Sequence, residues 1–531
     1  MKDGSQVYIF YDLETSELSK DFAQVFQIAM LFADDDMNLL SSIDLKSKRQ
    51  PWIVPSPGAM LITGFTPEDI KKEKDTYLEM MEKVDKWIRA QHWPVTFVGY
   101  NSHKFDEHVL RQSMHQTLHD PFVTTARKNW GEEPNARADV LNMVKAAYLF
   151  APGSLKLDMK TPKGNPSMTL GNVARQNGVE LNEEDAHDAL ADIKATIGIA
   201  KVIQKSAPDV WEQMMKLTTK DSADKFLKEN KIFAYAQCPY GQYHSVIGTS
   251  VTNTKGNPNE AVIFDLNFDP ADYMDKSVEE LAELLKTYGD DRNAQPLQTV
   301  SKNQQPILMK MNMADPVRPD GLSDFMMKKR QKMIADNPAF AEKLSEAAAL
   351  AKSGFVKGNE IEQKIFDFPP SFARKDLNLW LSEYHQADNE KRAELIADFP
   401  KQFKEAIDQD PSIKRHMQFA ERMLYEQAPE LMEEKRRQAF GEAIQKRIMN
   451  PDPDAPYMTV PKARAELAEI EQLRADGDPK WAHVSETQIR SLKLFYTALE
   501  KGADPEKKFS AHNDNGPNAR KNLKNAFGPK K

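Results

Sequence analysis

The run Val7-Tyr8-Ile9-Phe10-Tyr11, followed by Asp12-Leu13-Glu14, constrains this chain more than any other segment. A short stretch of aromatic and β-branched residues reads as a buried strand, and successive side chains of a strand point to opposite faces. Asp12 and Glu14 therefore share one side of it. Two carboxylates so placed repel, and each raises the pKa of the other unless a cation lies between them. Hard oxygen donors of this kind suit Mg²⁺ or Mn²⁺. An Asp-x-Glu pair also describes many solvated surfaces, so the remaining ligands must come from elsewhere in the chain.

Two other segments offer them. Val95-Thr96-Phe97-Val98-Gly99-Tyr100 is a second apolar run that leads through Asn101-Ser102 to Lys104-Phe105-Asp106-Glu107, with Val109 and Leu110 suggesting a helix beyond. Asp106 thus lies just past a strand end, where it could be a ligand or an ordinary acid at a helix N-terminus. Spacing does not settle which of Asp106 and Glu107 faces the site. The third segment, Asp185-Ala186-His187-Asp188-Ala189-Leu190-Ala191-Asp192, precedes Ile193, Ala195, Ile197 and Ala200 at helical spacing. Five residues on a helix turn through about 140°, so His187 and Asp192 share a site only if His187 lies at or before the first turn. An Asp N-cap with a solvated histidine is the competing reading.

Together the three segments resemble the Exo I, II and III motifs of the DEDDh exonucleases, which have an RNase H-like fold. Tyr-Asp-Leu-Glu-Thr at 11–15, Pro-Gly-Ala-Met-Leu-Ile-Thr-Gly-Phe-Thr-Pro at 57–67, Gly-Tyr-Asn-Ser-His-Lys-Phe-Asp-Glu at 99–107 and Ala-His-Asp-Ala-Leu-Ala-Asp at 186–192 resemble the bacterial exonuclease I family more closely still. The resemblance covers most of the chain and weakens toward its C-terminus. It implies 3′→5′ digestion of single-stranded DNA to 5′-mononucleotides by a two-metal mechanism. Asp12 would bridge two Mg²⁺ ions, with Mn²⁺ as a possible substitute, and Glu14, Asp106 and Asp192 would complete the ligands. His187 would act as general base. The apolar segment Met60-Leu61-Ile62-Thr63-Gly64 reads on its own as a packed hydrophobic turn, whereas the resemblance implies that it lines the pocket of the terminal nucleotide. Thr15, Leu61, Ile62, Thr63, Asn101 and Phe105 are the candidates for positioning substrate.

At 531 residues the chain exceeds what one core can organise, and two to four domains are expected. The resemblance implies an α/β (α+β) architecture: an RNase H-like exonuclease domain with a mixed sheet at 1–202, an SH3-like β-rich domain at 203–355 and a C-terminal helical domain at 356–505, while low hydrophobicity and positive charge mark 506–531, beyond the part that resembles the family, as a basic, disordered tail. The residues agree with this order. Lys231–Ala236, Tyr243–Val251 and Ala261–Leu266 are strand-like and separated by turns such as Thr254-Lys255-Gly256-Asn257-Pro258, while helical patterns dominate from about 323 onward. A helical domain closing a ring over the cleft would account for processivity. The tail holds Arg520, Lys521, Lys524, Lys530 and Lys531, which suit an inert solvated segment or a weak auxiliary contact to nucleic acid.

The net charge of −8 is unexpected for a protein that grips a polyanion. Local potential matters more than the total, and Lys104, Arg127, Lys128, Lys156 and Lys160 are candidate groove cations. The single cysteine, Cys238, excludes an intramolecular disulfide and reads as a packed small hydrophobe. No stretch approaches a membrane span, and the first residues lack the apolar segment of a secretory signal, so a cytoplasmic protein is expected; a monomer is expected as well. The resemblance also implies a partner, the acidic C-terminal tail of single-stranded DNA-binding protein. Arg318 in Val317-Arg318-Pro319 is a candidate to pair with its carboxylate. Leu149-Phe150-Ala151-Pro152-Gly153 departs from the family, which has an arginine before the Pro-Gly turn, so that pocket is weakened or rebuilt. Two other functions share the motifs: a DEDDh nuclease acting on RNA or in proofreading, and an inactive nucleic-acid scaffold, which the presence of all five catalytic identities argues against.

Overall fold

The computed structural model describes residues 6–129, 131–181, 188–237, 243–286, 295–354, 358, 360–367 and 374–502. His187, Cys238 and the basic tail lie outside these residues.

The first sheet has the order β3-β2-β1-β4-β5. Its centre is β1 (Tyr8–Thr15), flanked by β2 (Val25–Ala33) running antiparallel and β4 (Thr96–Gly99) running parallel. Strand β3 (Leu39–Lys46) extends the sheet beyond β2, and β5 (Ala136–Asp139) extends it beyond β4. Central strands buried on both faces need apolar residues at every position, which is why β1 and β2 carry continuous apolar runs while edge strand β3 alternates Ser, Asp and Lys with Leu and Ile.

The two faces pack against different helices. Ile9, Tyr11 and Leu13 meet Met80 and Val84 of the helix Tyr77–Ala90 and Val109 of the helix Asp106–Gln116. Tyr8 and Phe10 belong to the core that holds Val144 of the helix Val140–Phe150 and Ile193 and Ile199 of the helix Ala189–Ser206. Burying an aromatic or aliphatic side chain of this size contributes about 1.5–3 kcal/mol, and a slip of one residue would reverse both faces. Register is therefore firmly set, and Asp12 and Glu14 continue the face of Tyr8 and Phe10, toward the helix Ala189–Ser206.

The second sheet is wholly antiparallel, in the order β10-β6-β7-β8-β9. Its strands are β6 (Phe233–Gln237), β7 (His244–Thr254), β8 (Asn257–Asp265), β9 (Leu297–Ser301) and β10 (Ile307–Lys310). The first three match the strand-like segments of the sequence, while β9 and β10, short and flanked by polar residues, were not among them. The helices Val278–Lys286 and Pro338–Ala351 cover this sheet, and its core is continuous with that of the first domain.

From Lys375 to Glu500 the chain is helical. These helices return to the first domain at two places. Trp380 and Phe399 pack with Leu78 and Leu118, and Ile444, Val460 and Trp481 pack with Phe26, Trp52 and Leu61. No helix among the described residues is long and apolar enough to cross a membrane.

Candidate active site

The carboxylates converge at the ends of β1 and β4. Asp12 and Glu14 lie opposite Ala29 and Gln27 of β2. Asp192 stands in the first turn of the helix Ala189–Ser206, which Asp188 caps by accepting the Ala191 N–H at 3.2 Å. Carboxylate oxygens of Asp12, Glu14 and Asp192 all lie within 4.8 Å of one another. Asp106 enters from the neighbouring strand, as the first residue of the helix Asp106–Gln116. Between β4 and that helix the chain turns tightly. A Cβ on Gly99 would lie 2.5 Å from the Cβ of Ser102, and Asn101 adopts a left-handed φ of 61°.

Burial and mutual repulsion oppose the ionised forms of Asp12, Glu14 and Asp106. Burial, then Asp192, Asp106 and Asp188, pushes Glu14 up to about 9. Asp106 is pushed up to about 7, chiefly by burial, and Asp12 lies well above the ordinary carboxylate range through burial and the charges of Asp106, Glu14 and Asp192. Three carboxylates with oxygens within coordinating reach of one another, two of which, Asp12 and Glu14, are opposed in their ionised form, fit a divalent cation.

Glu107, next to Asp106, has the opposite fate. Its side chain points away from the cluster, where Oε1 accepts from Arg111 at 2.7 Å, Arg137 at 2.9 Å and Thr124 at 2.7 Å, and Oε2 accepts the Tyr11 hydroxyl at 3.3 Å. Burial alone would raise its pKa, but Arg137 and Arg111 hold it below the ordinary range. The choice between the two acids is thus made by tertiary contacts: Asp106 faces the site and Glu107 anchors its helix.

The remaining candidates divide by exposure. His187, directly before Asp188 in sequence, lies outside the described residues. Thr15 is buried and donates to the Glu17 carbonyl at 3.0 Å. Residues 57–63 form a helix rather than a turn, capped by Ser56, with Gly64 closing it at φ 73°. On it Leu61 is 4% exposed, packed against the C-terminal helices, while Ile62 and Thr63 are half-buried. Asn101 is exposed and Phe105 half-buried, and Lys104, Arg127, Lys128, Lys156 and Lys160 reach solvent. Arg318 donates to Asp324 at 2.5 Å and to the Leu322 carbonyl at 2.9 Å.

Sequence reasoning passed over Asp188 as more than a cap and Asp139 altogether. Asp188 shares the Gln27 amide with Asp44, at 3.3 and 2.9 Å, and adds negative charge beside Asp12 and Glu14. Asp139 ends β5 as Asp12 lies near the end of β1, and the pattern Arg-Ala-Asp before the apolar Val140–Phe150 run was the available signal.

Residues 9–200 match the family model described as "Exonuclease", and residues 219–348 match "Exonuclease I SH3-like domain". Exodeoxyribonuclease I of Escherichia coli (strain K12) is 25% identical over 381 residues, 69% of this chain and 78% of that protein. The structure of E. coli exonuclease I in complex with a dA16 oligonucleotide superposes with a TM-score of 0.73 at 20% identity, covering 93% of this chain and 100% of the other. An ExoI/SSB-Ct complex gives 0.72 at 19% identity, covering 93% and 99%. With a match to the exonuclease model and, next along the chain, to the exonuclease I SH3-like domain, this chain is similar to exonuclease I through both domains and is an exonuclease.

Proposed function

We propose that this chain is a 3′→5′ exodeoxyribonuclease that degrades single-stranded DNA processively to 5′-mononucleotides, in cytoplasmic DNA repair and recombination. The observation that carries the reading is the convergence of Asp12, Glu14 and Asp192 within 4.8 Å, with Asp106 beside them. Its support beyond the site is the likeness to exodeoxyribonuclease I and to a structure of exonuclease I with an oligonucleotide. The four carboxylates would hold two Mg²⁺ ions, or Mn²⁺ in their place. Bound there, the ions would supply Lewis-acid stabilisation of the oxygens that attack and leave phosphorus. His187 would take the proton of the attacking water. Ile62 and Thr63, which reach solvent at the end of the Pro57–Thr63 helix, would meet the terminal nucleotide, with Leu61 behind them and Thr15, Asn101 and Phe105 around the scissile end. The division at 1–202, 203–355, 356–505 and 506–531 belongs to the same proposal, as does a monomer.

The test is digestion of end-labelled single-stranded DNA, duplex DNA and RNA with and without Mg²⁺. Mononucleotides released from the 3′ end of single-stranded DNA, and lost in Asp12→Ala and His187→Ala, are expected. Preference for RNA, or activity that survives Asp12→Ala, would overturn the reading.

The partner follows the same reasoning. An acidic tail of single-stranded DNA-binding protein would reach Arg318 by displacing Asp324 from its guanidinium. Titration with an acidic tail peptide should give saturable binding that Arg318→Ala weakens. Failure of both the peptide and the intact protein to bind would remove the partner.

A further inference from the structure

The carboxylate of Asp106 is only as well placed as the loop that delivers it. That loop is pinned by Asp139, at the end of β5. Asp139 Oδ1 accepts the Asn101 N–H at 2.8 Å and the Leu141 N–H at 3.0 Å, and Oδ2 accepts the His103 N–H at 3.3 Å. Asp139 is 2% exposed, so water does not compete for these bonds. Its own N–H donates to a side chain from another sheet: Oε1 of Gln305, at 2.7 Å. Gln305 Nε2 in turn donates to the Met214 carbonyl at 3.1 Å.

Gln305 sits between β9 and β10 of the SH3-like sheet and is 1% exposed. Its φ is 44°, a left-handed conformation that glycine adopts freely and glutamine does not. A turn alone would be better served by glycine, so a glutamine held there points to a use for its side chain. The same turn grips the exonuclease domain again. The Asn303 carbonyl accepts Arg137 Nη2 at 2.6 Å, and the other arm of that guanidinium holds Glu107. Asn142 Nδ2 reaches the Gln305 carbonyl at 3.4 Å. Both residues of the Asp106-Glu107 pair are therefore tied, by separate routes, to one turn of the second domain.

We propose that Gln305 is a positioning residue for the metal site: through Asp139 it fixes the Asn101–Phe105 loop and hence the Asp106 carboxylate. The SH3-like domain then completes the exonuclease site. This rests on the reading of Asp106 as a metal ligand.

Gln305→Met conserves volume and removes both hydrogen bonds, while Gln305→Gly removes them and relaxes the backbone, so that at least one folded variant is available. The control is Gln213→Met. Gln213 is also buried, and its Nε2 donates to the Leu308 carbonyl of β10 at 3.2 Å across the same interface, with no bond to Asp139. Two measurements on full-length protein need no DNA: hydrogen exchange of the Asn101 and His103 amides without metal, and Mn²⁺ affinity by calorimetry. Both Gln305 variants should exchange these amides several-fold faster and bind Mn²⁺ about tenfold more weakly, the scale of a lost partner behind a metal ligand. Gln213→Met should match wild type in both. Wild-type exchange and Mn²⁺ affinity in a folded Gln305 variant, or equal changes in Gln213→Met, would overturn the proposal. Failure of the exonuclease reading would show instead in the digestion assay on wild-type protein.

Discussion

Acidification from pH 7 to pH 5 should loosen the seam between the exonuclease domain and the C-terminal helices, through two buried histidines. His115, on the helix Asp106–Gln116, packs edge-on against Phe419 with ring centroids 5.0 Å apart. His416, on the same helix as Phe419, donates from Nδ1 to the Ile413 carbonyl at 3.2 Å. They are 6% and 7% exposed. Burial, then the charges of His416 and Arg415, pushes His115 down to about 3, and burial pushes His416 down to about 4. A histidine with a depressed folded pKa stabilises the fold fully above its unfolded pKa of about 6.5, and that contribution is lost as pH falls toward the folded value. Between pH 7 and pH 5 the unfolded chain takes up protons that these sites refuse, which costs about 2 kcal/mol per histidine and about 4 kcal/mol for the pair. The figure depends little on the folded values, since both lie below pH 5. The assay is urea unfolding of wild type and of His115→Gln/His416→Gln at the two pH values. Other titrating groups, including His119 and the carboxylates of the candidate site, are common to both proteins and cancel. Wild type should lose about 4 kcal/mol more than the double variant. Equal losses would refute the reasoning.

Three further outcomes are expected. At pH 8, Glu107→Gln should destabilise the protein by about 3–5 kcal/mol, because it leaves Arg111 and Arg137 buried without their counter-charge, whereas Asp106→Asn should raise the melting temperature of metal-free protein while lowering activity. Shifts of the same sign in thermal melts would contradict the assignment of these neighbours. Mg²⁺ or Mn²⁺ at about one hundred times its dissociation constant should stabilise wild type by about 2.7 kcal/mol, an effect that Asp12→Asn abolishes in the same melts. Glu466 Oε1 accepts the Ser56 hydroxyl at 2.8 Å and the Gly58 N–H at 3.1 Å at the start of the Pro57–Thr63 helix. Glu466→Ala should therefore cost about 1–3 kcal/mol in urea unfolding and raise KM for single-stranded DNA, and an unchanged KM would detach this helix from the substrate.

Much of the site is legible in the sequence because its first steps are local. The two-residue period of a strand puts Asp12 and Glu14 on one face, and the apolar run before them marks a buried strand. The acid-rich start of an apolar periodic segment puts Asp192 in a first helical turn. Spacing could not choose between Asp106 and Glu107, since the choice depends on how a helix docks against its sheet, and Arg137, which captures Glu107, comes from a different strand. Nor could it show that Leu61 packs into a core with Val460 and Trp481, or that β9 and β10 carry a turn reaching Asp139. Periodicity is a property of one element and fixes which residues share a face. Which residue meets that face depends on rigid-body packing between segments far apart in the chain, and such contacts have no local signature. The candidate donors, their order and the elements that carry them are thus written locally in the chain, while packing between distant segments selects which acid turns inward and which glutamine reaches its loop.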